Sequence, residues 1–317
     1  MVEINKLNRR EFLRSLGALC GAVMVRPFPL FLQSDILAHM PVPVPPSLML
    51  HSADGRGDFL PRLLEALCVQ GYTGTTYQEW QRRILNGSPI ANPLILSIDD
   101  ISAAQGGCPS FATFTQMKEW IRAAGMTAVY GVITEPVYND SPQRAQDEAR
   151  WDMLQSWVED GFELATHTTY HSNFNARDTG PRPDFTAVDY EAEICDSARL
   201  IETKLRERGL GYAVQSLILP YGSGYAYLSE QPAVHPGILA ACTQTQIRFV
   251  VGIVQGREPL LVDDSIAYVG RLSPVYTADP NGQMTPLLEG TLAQLHSWRQ
   301  QNEAINLQAR RPLHFPL

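Results

Sequence analysis

Positive charge is in short supply in this chain. Its 25 Lys and Arg stand against 33 Asp and Glu, a net charge of −8, so it carries no basic footprint for a nucleic-acid backbone. Such a chain has no general attraction to an anionic polymer either, which favours a neutral or cationic partner. Cysteine is sparse: Cys20, Cys68, Cys108, Cys195 and Cys242 are scattered, odd in number and without a Cys-x-x-Cys. That pattern is not a disulfide framework, and each reads as a small buried apolar residue. The N-terminal apolar stretch Leu16–Val25 is too short for an ordinary membrane span. There is no internal repeat. The one biased segment is the Pro-rich Met40–Pro46.

What is present suits one large folded domain with additions. The chain has 317 residues, 44% hydrophobic and 18% charged, enough to bury a sizeable core. Asn8-Arg9-Arg10-Glu11-Phe12-Leu13-Arg14 followed by Leu16–Val25 reads as a twin-arginine export signal; a basic amphipathic helix is the plainer alternative. No clear Ala-x-Ala follows, so the segment is also read as an anchor. The expected organisation is a signal or anchor over 1–40, a semi-rigid tether over 41–46 and the folded domain over 47–317. The chain is then expected outside the cytoplasm (periplasm, cell wall or secreted), with the translocation machinery as a partner during export.

Within the domain, apolar periodicity alternates between strand and helix. Strands are expected at Ser47–His51, Leu94–Asp100, Ala128–Ile133, Phe162–His167, Ser216–Leu219, Phe249–Val254 and Ile266–Leu272. Helices are expected at Phe59–Gln70, Thr76–Leu85, Phe114–Ala124, Ala149–Glu159, from the N-cap Thr186 to Arg208, at Ile238–Gln244 and at Pro286–Asn302. Such alternation builds parallel βαβ units. Periodicity alone does not separate a barrel from a doubly wound sheet.

Three stretches carry chemistry. Leu94-Ile95-Leu96-Ser97-Ile98-Asp99-Asp100 ends in two adjacent carboxylates. Neighbours on a strand point to opposite faces, so the two Asp do not share a role by default. Like charges this close resist joint ionisation unless a cation sits between them or one is protonated. Taken alone, the pair also fits a strand ending in an Asx-type turn. Next, His167 closes a short apolar strand and His171 follows four residues later. A helical turn there puts both imidazoles on one face, and two imidazoles with one carboxylate make a facial metal triad with open positions. The third stretch, Leu217-Ile218-Leu219-Pro220-Tyr221-Gly222, is a strand ending in a loop with special backbone needs.

Together these stretches resemble the polysaccharide deacetylase family, carbohydrate esterase family four. Ser97-Ile98-Asp99-Asp100, His167-Thr168-Thr169-Tyr170-His171 and Pro220-Tyr221 stand in the order of its first three motifs. Leu48-Met49-Leu50-His51 looks like the start of its circularly permuted branch, which includes poly-N-acetylglucosamine deacetylases. The resemblance covers Ser47 to the C-terminus. It implies an α/β fold, a distorted, incomplete (β/α)7 barrel of about seven strands with its chemistry at the strands' C-terminal ends. It also implies a divalent cation held by Asp100, His167 and His171, most readily Zn²⁺, with Co, Ni, Mn or Fe compatible with the same donors. Asp99 would be the general base, the backbone N–H of Tyr221 part of the oxyanion site, and an N-acetylated glycan the substrate. The acid would be His51, with His314 in Pro312-Leu313-His314 as the alternative; His296 fits a helix surface.

The sequence departs from the family pattern at Ile218, where an arginine partner of the base is usual; Arg271 or the cation alone could fill that role. Ile101 replaces a usual glycine. Asp263 and Asp264 are either tuners of the acid or a solvated turn. Tyr138, Tyr170, Phe174, Tyr225 and Tyr227 fall in expected loops near the site, where they line it or merely pack. Two other readings stay open: a degenerate glycan-binding protein, and a metal-dependent amidase or esterase with a small substrate.

Overall fold

The expected alternation is built as one curled, mostly parallel sheet wrapped by helices. The computed structural model describes residues 45–103, 111–135, 147–174, 188–228, 231–253, 260–263, 266–278 and 282–308. Its first half runs β1 (Ser47–Leu50), α1 (Phe59–Val69), β2 (Thr73–Thr75), α2 (Tyr77–Leu85), β3 (Pro93–Ser102), α3 (Phe111–Ala123), β4 (Val129–Ile133), α4 (Glu148–Glu159) and β5 (Glu163–Thr166). A π-turn, Glu191–Cys195, then opens α5 (Asp196–Glu207) and leads to β6 (Ser216–Ile218), β7 (Tyr225–Leu228), β8 (Gln231–Val234), α6 (Pro236–Thr243) and β9 (Phe249–Val251). The chain continues through β10 (Leu260–Asp263), β11 (Ile266–Val269), β12 (Val275–Ala278), β13 (Met284–Leu287) and α7 (Leu288–Gln308).

The spatial order β1-β3-β4-β5-β6-β9-β11 contains only parallel pairs, with β10 antiparallel at the far edge and β2 added beside the start of β3. Beyond β11 the chain reaches back to the other side: Met49 N donates to Leu272 O at 2.7 Å and Leu272 N to Ser47 O at 2.8 Å. The sheet is thereby curled into an incomplete α/β barrel, as the family resemblance implies.

Side-chain alternation divides the core in two. Leu94, Leu96 and Ile98 of β3, with Tyr130, Val132, Leu164, Leu217 and Val250 from its neighbours, pack outward against the surrounding helices. The alternate residues Ile95, Val129, Ala165, Ile218, Phe249, Val251, Ala267 and Val269 face inward, where Tyr77, Trp80 and Ile84 of α2 plug the barrel. Burying each such side chain contributes roughly 1.5–3 kcal/mol. Helix α2 is seated by its N-terminus: Thr76 caps it by accepting from Glu79 N, and the buried Glu163 carboxylate accepts from Gln78 N at 3.0 Å. A negative group there meets the positive end of the helix dipole.

Several elements differ from expectation. The hairpins β7–β8 and β12–β13 were not foreseen, and they place Tyr225 and Tyr227 on a strand rather than in a loop. The final helix begins two residues later than expected and runs to Gln308. Residues 1–44 lie outside the described residues, and with them the export segment and all of the tether but Pro45 and Pro46; Tyr138, Thr186, Asp264 and His314 lie outside too. Among the described residues, no helix is long and apolar enough to cross a membrane, and Cys68, Cys195 and Cys242 are free thiols.

Candidate metal and catalytic site

The inward positions of β3 are Ile95, Ser97 and Asp99, so strict alternation would turn Asp100 outward. It does not, because the strand bulges there. Ile98 pairs with Tyr130 and Ile101 with Val132, which leaves both Asp99 and Asp100 opposite the single residue Gly131. Asp100 takes up the extra length in a left-handed conformation, φ 68°. A bulge of this kind re-aims a side chain. Here it brings two successive carboxylates to the same end of the barrel.

His167 and His171 arrive from the loop after β5. Asp100 Oδ1 lies 3.3 Å from His167 Nε2 and 3.2 Å from His171 Nε2, and the two Nε2 atoms are 3.1 Å apart. His167 Nδ1 is 2.8 Å from the carbonyl oxygen of Ile218. A carbonyl only accepts, so Nδ1 carries the proton and Nε2 turns a lone pair toward Asp100 and His171. Asp100, His167 and His171 thus offer three donor atoms within 4.8 Å of one another. One carboxylate oxygen and two imidazole nitrogens suit a divalent first-row cation. The carbonyl that fixes the tautomer belongs to Ile218, the position where the family pattern has arginine.

The missing arginine is replaced from the far side of the barrel. Arg271, 1% exposed, donates from Nη1 to Asp99 Oδ1 at 2.6 Å and from Nη2 to Asp99 Oδ2 at 2.9 Å. It also reaches Ser97 Oγ at 2.8 Å and, through Nε, the carbonyl oxygen of Gly252 at 3.1 Å. Such a two-pronged contact is the strong form of a charge-assisted hydrogen bond.

Electrostatics favour the ionised form of both carboxylates. Burial pushes Asp99 up, but the Arg271 guanidinium, joined by His167 and His51, outweighs it and holds Asp99 below the usual carboxylate value. Burial acts on Asp100 in the same sense, and hydrogen bonds to His167 and His171 drive it well below the carboxylate range. His171 is pushed down chiefly by burial, which favours its neutral imidazole.

His51 stands just past β1 and faces the same centre, with Nε2 at 3.9 Å from Asp100 Oδ2. Its loop is pinned from below. Asp54, 1% exposed, accepts from His51 N at 2.8 Å and from the Tyr276 hydroxyl at 2.8 Å. Tyr221, 55% exposed, presents its ring 4.6 Å from that of His171. The following Gly222 has φ 62°, and a Cβ there would lie 1.9 Å from Ile253 Cγ1, so only glycine fits this turn.

The structure therefore gathers Asp99, Asp100, His167, His171, His51 and Tyr221 at one end of the barrel. His296 lies on the exposed face of α7, bonded to Gln300. Phe174 is buried under Tyr190, with ring centroids 5.5 Å apart. Gly131 and Asp54 carried no sequence signal. A Cβ on Gly131 would sit 3.1 Å from Ile218 Cδ1 and 3.3 Å from His167 Cβ, so its absence makes room for the His167 ring. Five described non-glycine residues have positive φ: Asn92, Asp100, Thr168, His171 and Tyr221. Four of them are at this site, where strained backbone tends to gather.

No family model and no curated protein matches the sequence. Solved structures match the fold, two among them with a TM-score of 0.51. One is the Streptococcus pyogenes deacetylase PplD in complex with acetate, with a TM-score of 0.51, 16% identity, and coverage of 79% of this chain and 99% of that one. The other is IcaB from Ammonifex degensii, with a TM-score of 0.51, 15% identity, and coverage of 83% and 99%. The chain shares with these proteins the fold of an incomplete α/β barrel.

Proposed function

We propose that this chain is a metal-dependent hydrolase that removes N-acetyl groups from an N-acetylglucosamine-containing polysaccharide. The observation that carries the reading is the pairing of two adjacent carboxylates that have different partners. Asp100 converges with His167 and His171, while Asp99 beside it is clamped by Arg271. Amide hydrolysis needs that separation, because one carboxylate must bind and the other must accept a proton.

Asp100, His167 and His171 would hold the cation, with Zn²⁺ the best match to the donors and Co, Ni, Mn or Fe compatible with them. When bound, the cation polarises the acetyl carbonyl and makes water more acidic. Asp99, kept ionised by Arg271, takes a proton from the attacking water. The water oxygen bonds to the carbonyl carbon, and the backbone N–H of Tyr221 faces the oxyanion that forms. The C–N bond then breaks as His51 gives a proton to the leaving amine, releasing acetate and the free amino sugar. The likeness in fold to the deacetylase PplD favours this chemistry. The clamp on Asp99 argues against a degenerate binding protein, because Arg271 gives the base the cationic partner that Ile218 cannot. The segment Asn8–Arg14 supports export by the twin-arginine route, with the N-terminal segment serving as signal or membrane anchor.

The test is acetate release from N-acetylglucosamine oligomers of several lengths by metal-stripped, Zn²⁺-restored and Asp99→Asn protein. Release that needs the cation and collapses in Asp99→Asn is the expected result. A restored protein that binds cation but frees no acetate from any oligomer would sink the reading.

A further inference from the structure

Thr168 and His171 both have positive φ, 67° and 58°, and a β-branched residue does not adopt that backbone without support. His171 N donates to Thr168 Oγ1 at 3.0 Å, a local contact. Thr168 N donates to Thr166 Oγ1 at 3.2 Å, and Glu135 N to the backbone oxygen of Thr169 at 2.9 Å. Further support comes from the π-turn ahead of α5. Thr169 N donates to the backbone oxygen of Glu193 at 2.9 Å, and Thr169 Oγ1 to that of Ala192 at 2.5 Å. The side chain of Glu193, 1% exposed, takes the residues on either side of His171: Oε2 accepts from Tyr170 N at 3.0 Å and Oε1 from the Ser172 hydroxyl. A π-turn inserts one residue into a helix and is common where function needs a side chain re-aimed.

We propose that Glu193 is a positioning residue for the cation site: it grips Tyr170 and Ser172 so that His171 Nε2 is held toward Asp100 and His167. This rests on the reading of Asp100, His167 and His171 as cation ligands. Outer groups that orient a metal-binding imidazole typically set affinity by about 10–100-fold, and a carboxyl that grips both chain neighbours of a ligand does so through the backbone. A merely structural Glu193 would change unfolding and leave the bound cation's surroundings alone.

The experiment uses the full chain with Glu193→Gln, which keeps the shape but offers one acceptor instead of two, and Ser172→Ala, which removes a single contact. Zn²⁺ affinity is read by competition with a chromophoric chelator, and the ligand field by the visible spectrum of the Co²⁺ form. Unfolding of the metal-free protein is followed alongside. The expected result is about 10-fold weaker Zn²⁺ binding and an altered Co²⁺ spectrum in Glu193→Gln, with a smaller change of the same sense in Ser172→Ala. Wild-type affinity and spectrum in Glu193→Gln would overturn the proposal. If that variant does not fold, Ser172→Ala decides by the same two readouts. Wild-type protein that binds neither cation overturns the ligand reading itself, and the role of Glu193 with it.

Discussion

Arg271 and Asp99, 172 residues apart in the chain, meet inside the barrel with both guanidinium Nη atoms on both carboxylate oxygens, at 2.6 and 2.9 Å. Arg271→Met leaves Asp99 buried and unpaired. The expected cost is about 3–5 kcal/mol, as for other broken buried pairs, read by denaturant unfolding. Burial is then opposed only by His167 and His51, so the Asp99 pKa rises. The acidic limb of the pH–rate profile should therefore move to higher pH, whereas a shift to lower pH would contradict the tuning role of Arg271.

Acid should loosen the metal-free protein in a defined window. The folded-state pKa values of Asp99 and Asp100 lie below the ordinary carboxylate value. The stability they contribute is present above the unfolded value of about 3.9 and is lost as pH falls through the folded values. Denaturant unfolding at descending pH should show a decline setting in below about pH 4, part of which is missing in Asp99→Asn. Identical pH dependence in the two proteins would contradict the assignment.

His51→Ala should separate turnover from cation binding. His51 lies 3.9 Å from Asp100 Oδ2 and outside the three converging donors. Loss of a general acid typically costs about 10²–10⁴-fold in rate, so kcat should fall by that order while Zn²⁺ affinity holds. Activity that survives the substitution would send the acid role to His314 or to water.

Gly131→Ala places a methyl 3.1 Å from Ile218 Cδ1 and 3.3 Å from His167 Cβ. Overpacking of this kind costs about 1–3 kcal/mol. Because His167 is one of the two neighbours displaced, Zn²⁺ binding should weaken together with stability. Calorimetric unfolding and a metal titration on the same samples check both.

Much of the barrel and most of the site are legible in the sequence, because both are written locally. Strand and helix periods are read within a dozen residues, and the Asp-Asp, His-x-x-x-His and Pro-Tyr stretches each span five residues or fewer. What escaped is what depends on a distant partner or a broken rule. The role of Arg271 beside Asp99 follows from barrel closure, so it stood only as one of two options. The bulge at Asp99–Asp100 violates the alternation by which strands are read. Glu193 is one acidic residue among several on an amphipathic helix, and only the π-turn turns it inward. The strands of β7–β8 and β12–β13 are four residues each, too short for their pattern to stand out from turns.

The closure of the barrel has a temporal consequence. Leu272 supplies the backbone contacts that join the sheet's late strands to β1, and its chain neighbour Arg271 supplies the partner of Asp99. During synthesis Asp100, His167 and His171 all emerge before Arg271, so the three converging donors precede the counter-charge of Asp99. Pairing of Asp99 and completion of the barrel are then a single late event. A chain stalled before Arg271 would carry every residue of the three motifs and still be chemically unfinished.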